Sequence, residues 1–329
     1  MGNVEITYAE AIRDAMSEEM RKDDSVYLMG EDIGVYAGAF GVSRGMLEEF
    51  GPERIIDTPI SEAAYIGTAV GSAVTGMRPI AELQFSDFVS VCLDQIMNQA
   101  AKMHYMFGGK INVPMVIRSA SGGGTGAAAQ HSQSLENLYA HIPGLKVVMP
   151  STPYDAKGLL KTAIRDNNPV IFLEPKLLYR VKGLVPTEEY LIPFGEADIK
   201  RKGEDISIIT YGRTVQMSLE VADYFAEIGY EVEVVDIRTL VPLDTDTIIE
   251  SVKKTHRAVV VHEGVEFGGF GGEIVGLIAD KAIMYIDGPI KRVGGMFCPI
   301  PFNPYLEAEV LPNVERIKKA VWEALGDLK

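Results

Sequence analysis

The chain has 329 residues, a length that allows two domains, and its 47% hydrophobic residues are ample for two cores. A formal net charge of −15 argues against nucleic acid or an anionic membrane as partner, because both demand a basic face. Any phosphate the chain helps to hold must therefore be met by local donors, a metal or another chain. Cys92 and Cys298 are isolated, without the spacing of a disulfide scaffold or a zinc site. No apolar run reaches membrane-spanning length, the N-terminus has no charged or apolar leader pattern, and Ile6 stands where a myristoylation signal needs Ser or Thr. A cytoplasmic protein is expected.

Thr7-Tyr8-Ala9-Glu10 is a capping box that opens an amphipathic helix carrying Ala9, Ile12, Ala15, Met16 and Met20 on one face. Val26 to Met29 reads as a short strand, with Gly30-Glu31-Asp32 at its carboxyl end, where ligands gather in open α/β sheets. Acidic residues after strands are also ordinary turn formers, so position alone leaves the role of Glu31 open. Val42 to Phe50 is expected to be helical.

Asp57-Thr58-Pro59-Ile60-Ser61-Glu62 leads into a helix over Ala63 to Gly76 that is almost stripped of polar side chains, with Ser61 as N-cap. So small-sided a helix must pack backbone-close against something. Glu62 then has two readings: a first-turn acid gaining from the helix dipole, or a carboxylate at the edge of a dry pocket that shares a proton with a ligand nitrogen.

Arg78 to Phe85 is a strand ending at Ser86-Asp87-Phe88, and the helix Val89 to Tyr105 is expected to turn Cys92, Ile96, Met97 and Ala100 inward. Pro114 to Arg118 is a strand, followed by the loop Ser121 to Ala127, then Gln130-His131-Ser132-Gln133-Ser134 and a helix from Leu135 to His141. Strands at Lys146 to Met149 and Val170 to Leu173 flank a helix opening at Thr152-Pro153-Tyr154-Asp155. Lys182 to Gly195 turns polar and proline-bearing, the signature of a linker. A second α/β unit follows, with strands at Ile206 to Tyr211, Glu231 to Asp236, Ala258 to Glu263 and Ile290 to Val293. Strands alternating with helices predict two doubly wound α/β domains, over 1–182 and 205–329, joined by a linker over 183–204.

Gly122-Gly123-Gly124-Thr125-Gly126-Ala127 fits a dinucleotide glycine pattern, but the acidic residue expected after the next strand is missing. Gly268 to Gly272 fails that spacing and reads as a backbone-close helix start. Neither a nucleotide phosphate loop nor a serine-hydrolase elbow is present. His104, His141 and His256 sit in amphipathic contexts, whereas His131 lies in a loop after a glycine-rich turn, where function is favoured.

Gly30-Glu31-Asp32, Asp57 to Glu62, Glu82 to Phe85, Gln130 to Gln133, Ala163 to Pro169 and Asp236 to Asp244, taken together and in order, resemble the β subunit of the E1 component of 2-oxo acid dehydrogenase complexes. The resemblance implies a thiamine diphosphate enzyme with a transketolase-like pyrimidine-binding domain and a transketolase-type C-terminal domain. It places Glu62 against N1′ of the cofactor's aminopyrimidine, sharing the proton that activates it, with Phe88 packed on that ring and Glu31, Ile60 and Gln84 in the same pocket. His131 matches a histidine expected to orient substrate and help proton transfer as the acyl group passes to a lipoyl group. Met115, Ala163, Ile164, Asp166 and Asn168 fall where some members bind a structural potassium ion through oxygen ligands.

The resemblance also makes an absence informative. Related enzymes hold the Mg2+ of the cofactor's diphosphate with a G-D-G motif followed later by Asn, and this chain has no G-D-G. A separate α subunit is therefore expected to hold Mg2+, with thiamine diphosphate shared across an α2β2 heterotetramer and a lipoyl-bearing E2 acyltransferase as the further partner. The small-residue helix after Glu62 and the Gly268 to Gly272 helix start are candidate interfaces. Gln130 to Glu136 and Pro143 to Pro150 look closer to the pyruvate and acetoin branches than to the branched-chain branch. Two other classes remain: a transketolase or deoxyxylulose phosphate synthase-like half-enzyme, against which the start at Thr7 with no upstream metal domain favours a complete subunit, and a purely structural partner chain.

Overall fold

The computed structural model describes residues 2–326 and divides the chain into two units, one of residues 1–121 and 138–194 and one of residues 122–137 and 195–329. The glycine-rich stretch with His131 thus groups with the C-terminal unit, which no boundary drawn along the chain expresses. Both units are layered α/β structures with parallel-dominated sheets, as the strand and helix alternation predicts.

In the first unit the strands run in the order Lys146–Val148, Val170–Pro175, Val116–Ser121, Arg78–Phe85, Val26–Gly30, Ile55–Asp57, each parallel to its neighbours. The chain leaves Val26–Gly30 toward Ile55–Asp57 on one side and returns to Arg78–Phe85 on the other, so the strand order reverses between them. That reversal opens a crevice at the carboxyl ends, where Glu31 and Gln84 stand. Gln84 occupies a register shift between Leu83 and Phe85, and an unpaired residue of this kind has its side chain re-aimed out of the sheet.

Beneath this edge the fully buried Arg118 guanidinium ties three strands. It donates from Nε and Nη2 to Glu174 at 2.7 and 2.9 Å and from Nη1 to Glu82 at 2.8 Å, while the Tyr179 hydroxyl donates to Glu174 at 2.7 Å. Burial pushes the Glu82 carboxyl up, and Arg118 opposes the shift. Removing one member of such a buried cluster leaves an uncompensated charge, so the network fixes the strand ends as a group.

The first helix, Tyr8–Lys22, starts on Thr7, whose side chain accepts from the Glu10 N–H while Glu10 reaches back to Thr7, the reciprocal box read from the sequence. The stretch expected as a linker contains the strand Lys182–Pro186, paired antiparallel with Asn3–Thr7, and the strand Asp198–Arg201 follows it. The helix expected over Val89 to Tyr105 is three pieces, with a π-helical segment at Gln95–Ala100 between α-helical Val89–Asp94 and Ala101–Met106. Wider turns shift the facing register, so Cys92, Ile96 and Ala100 are buried as expected but Met97 is 40% exposed.

In the second unit the order is Lys291–Gly295, Ala258–Val265, Ile206–Thr210, Val232–Asp236, Asp198–Arg201, all parallel except the last pair. Its core gathers Ile206, Ile208, Val234, Phe225, Val259, Val261, Ile317 and Val321, with the terminal helix Val314–Leu325 closing one face.

Candidate active site

The crevice of the first unit begins with two carboxylates. Glu31 is 4% exposed directly after its strand, and its Oε1 has no hydrogen-bond partner among the described residues. Burial, then the charges of Glu62 and Asp32, raises its pKa, against a lowering bond from the Ser61 backbone N–H. Ser61 does hold the N-cap position of the helix Glu62–Val74, but its side chain makes no capping bond. The expected cap is thus corrected: the backbone there serves Glu31.

Glu62 is the first residue of that helix and half-buried, and no hydrogen bond or ion pair to its carboxylate is found among the described residues. Its charge reaches the buried thiol of Cys92, which burial and Glu62 together push up to about 12. Tyr65, one helical turn on, has a buried hydroxyl without a partner among the described residues and a raised pKa caused by burial, then by Glu31. The Thr58 hydroxyl is a third buried orphan in this region. Buried polar atoms are ordinarily paired, so several orphans together mark a place built for polar atoms from outside the chain.

Gln84 anchors from the other side of the crevice, its Nε2 donating to the Glu31 carbonyl at 3.3 Å. Phe88 lies just beyond, half-buried, its ring edge-on to Phe85 with centroids 5.6 Å apart. Ile60 stands 82% exposed in the segment that leads into the helix. Glu31, Glu62, Gln84 and Phe88 therefore come from three separate stretches to one sheet edge, with Ile60 beside Ser61 on the approach.

His131 is half-buried on the segment Gly122–Asn137 of the second unit, its N–H donating to the Ala128 carbonyl. The proposed potassium residues gather at the opposite end of the first sheet. There the carbonyls of Ile164 and Asp166 each accept from Arg78 Nη1 at 3.0 Å, the Met115 carbonyl accepts from the Val170 N–H, and the Asp166 carboxylate meets Lys146 and Asn168. No group of three or more His, Cys, Asp or Glu is arranged to hold a metal ion among the described residues.

Two family comparisons cover nearly the whole chain: the transketolase pyrimidine-binding domain over residues 4–182 and the transketolase C-terminal domain over residues 195–317. The β subunit of acetoin:2,6-dichlorophenolindophenol oxidoreductase of Bacillus subtilis (strain 168) is 47% identical, the match covering 98% of each chain. The pyruvate dehydrogenase E1 β subunit of Rickettsia felis is likewise 47% identical, covering 97% of this chain and 99% of that one. The chain belongs to the E1 β-subunit family. A split-gene transketolase, solved as an inactive β4 tetramer, shares the fold with a TM-score of 0.79 at 21% identity, covering 98% and 99% of the two chains.

E1 β subunits belong to a family that is generally thiamine diphosphate-dependent and works within multi-subunit complexes. The residues present fit the pyrimidine end of that cofactor. An aminopyrimidine needs acceptors and a shared proton along its edge and an apolar surface for its face, and the orphaned Glu31, Thr58 and Tyr65 atoms, Glu62 and the Phe88 ring supply that set.

The raised pKa of Glu31 has a stability consequence. Ionising it in the fold is uphill, so its contribution is intact below the ordinary glutamate pKa and is lost as pH rises through the raised value. In protein freed of cofactor, Glu31→Gln is expected to melt above the parent by about 2–4 °C at pH 8. The gap should close as pH falls toward 5. Thermal scans across that range check it, and a lower melting point at pH 8 would contradict the assignment.

Proposed function

We propose that this chain is the β half of a thiamine diphosphate-dependent E1 enzyme. It acts on pyruvate or acetoin and passes the two-carbon unit to the lipoyl group of an E2 acyltransferase. The single observation that carries this is the pair Glu31 and Glu62 at the strand-order reversal, beside buried hydroxyls without a hydrogen-bond partner among the described residues.

The cofactor, when bound, supplies the carbanion chemistry that protein side chains lack. Glu62, at the helix start, would hold a proton shared with the pyrimidine nitrogen. Glu31, with a raised pKa and Gln84 on its backbone carbonyl, would fill the same edge and keep water out. Phe88 would take the ring face. His131 would orient the substrate and move a proton during acyl handover.

The α subunit is assigned the Mg2+ that meets the cofactor's diphosphate, because this chain carries no G-D-G. It would dock on the exposed face of the helix Glu62–Val74, making an α2β2 assembly. Potassium is proposed at Met115, Ala163, Ile164, Asp166 and Asn168, sharing oxygens with Arg78 and Lys146. No helix among the described residues is long and apolar enough to cross a membrane, and a cytoplasmic location is proposed.

Co-expression with the α partner, followed by dye-acceptor reduction with pyruvate, acetoin and branched 2-oxo acids, tests the proposal. Turnover is expected only with both chains, thiamine diphosphate and Mg2+, with pyruvate or acetoin preferred and potassium raising the melting temperature relative to tetramethylammonium. Activity of this chain alone would overturn the split site. Preference for branched acids would reassign the substrate, and indifference to potassium would remove that ion.

A further inference from the structure

The glycine-rich loop that opens toward His131 has the form of an anion cradle, yet its N–H groups are already occupied by the chain's own carboxylates. Glu307 is 2% exposed and accepts from the Gly124 N–H with one oxygen, at 2.8 Å, and from the Gly126 N–H with the other, at 3.0 Å. Glu263 accepts from the Gly123 N–H at 2.7 Å and from the Ser134 hydroxyl at 3.3 Å, and Arg213 stands 3.5 Å from its second oxygen. The base of the loop is closed by the Gly122 N–H donating to the Gln133 carbonyl at 3.1 Å. At its far end the Tyr211 hydroxyl donates to the buried Glu136 at 3.0 Å.

The glycines are dictated by this arrangement. Gly122, Gly124 and Gly126 have φ of +90°, +89° and +70°, and a Cβ on Gly123 would come within 2.8 Å of Leu311. Glu263 itself sits where the strand Ala258–Val265 loses register with Lys291–Gly295, which re-aims its side chain toward the loop. A cavity of about 320 Å³ lies beside the stretch that follows the glycines, lined by Ser132, Gln133, Glu263, Met296, Phe297 and Cys298 among others. The glycines are held by bonds from their own N–H groups to Glu263 and Glu307, and carboxylate to N–H bonds are roughly twice as strong as neutral ones.

We propose that Glu307 and Glu263 are positioning residues for His131. They fill the glycine loop with internal negative charge, hold it in one conformation and so fix where the imidazole is presented for acyl handover. The second half of this statement rests on the proposed role of His131, and the loop clamp itself does not.

The test uses the assembled enzyme with Glu307→Gln, Glu263→Gln and His131→Ala, singly, and with His131→Ala added to Glu307→Gln. Hydrogen exchange of peptides spanning 122–137 reads the clamp. Transfer to free lipoamide is compared with dye-acceptor reduction to read the imidazole. A glutamine turns an amide donor toward one of the N–H groups, so exchange across the loop should rise at least tenfold. Lipoamide transfer should fall about tenfold more than dye reduction, and Glu307→Gln should cost nothing further once His131 is alanine. Unchanged exchange in both glutamine variants overturns the clamp. Raised exchange with undiminished transfer, where His131→Ala does impair transfer, overturns the positioning role. Undiminished transfer in His131→Ala overturns the role given to the histidine, while the exchange data still decide the clamp.

Discussion

Glu62→Gln in the co-assembled enzyme should lower turnover by about a thousandfold, in the middle of the range for loss of a positioned acid-base group. Glutamine has nearly the shape of glutamate, so no cavity is opened, and no ion pair is broken because none reaches Glu62 among the described residues. Association with the α chain and the melting temperature should therefore stay close to the parent's. Glutamine cannot exchange a proton with a ring nitrogen, while the Gln84–Glu31 bond and the Phe88 ring beside it are left in place. Steady-state dye reduction, run beside thiamine diphosphate titration, checks both parts. Normal turnover would return Glu62 to a helix-dipole role and remove the enzymatic reading of this chain's pocket. Loss of α binding together with activity would make Glu62 an assembly residue instead.

The placement of the proposed pocket residues is legible in the sequence because each sits at an element boundary that local pattern marks. Glu31 follows a short apolar strand, Glu62 follows an N-cap position, and Gln84 and Phe88 bracket a strand end. What local pattern could not show was how those boundaries are used. Ser61 has the cap position but not the side-chain bond, and the re-aiming of Gln84 comes from a shift against a neighbouring strand. The expected inward face of Val89 to Tyr105 is buried at Cys92, Ile96 and Ala100 but not at Met97, because the π-helical segment breaks the period on which such a face is read. The glycine-rich loop stands out in sequence only by its spacing, and the missing acidic residue argues against a dinucleotide. Its real partners, Glu263 and Glu307, are 140 and 183 positions away in sequence and sit in stretches with no motif of their own. His262, fully buried with its pKa lowered to about 4 by burial and Arg292, is similarly silent in sequence, since only the fold packs its ring against Gly269, Gly271 and Gly294.

Gly71→Leu should abolish assembly with the α chain while leaving this chain folded. The exposed face of the helix Glu62–Val74 and its cap is made of Ala64, Thr68, Gly71 and Thr75. Its threonine hydroxyls donate to the helix's own carbonyls, Thr68 to Ala64 at 2.8 Å and Thr75 to Ser72 at 2.9 Å, so the face offers little polarity to a partner. Gly67 differs: a Cβ there would meet Gln95 at 3.3 Å, so its small size serves packing within the unit. A Cβ on Gly71 meets nothing within 4 Å, and the chain itself gives no reason for a glycine in the middle of a helix. Glycine there weakens the helix by about 0.5–1 kcal/mol relative to alanine, a cost that makes sense when a second backbone must come close. A leucine would be accommodated in the isolated chain, with an unchanged or slightly higher melting temperature, and would overpack a backbone-close contact by about 1–3 kcal/mol at each copy of the interface. Gly71→Ala should fall between the two. Sedimentation of co-expressed chains, with circular dichroism of the free β chain, separates the outcomes. Intact assembly of the leucine variant would move the α interface elsewhere, and an unfolded free chain would show that the position is internal to the fold.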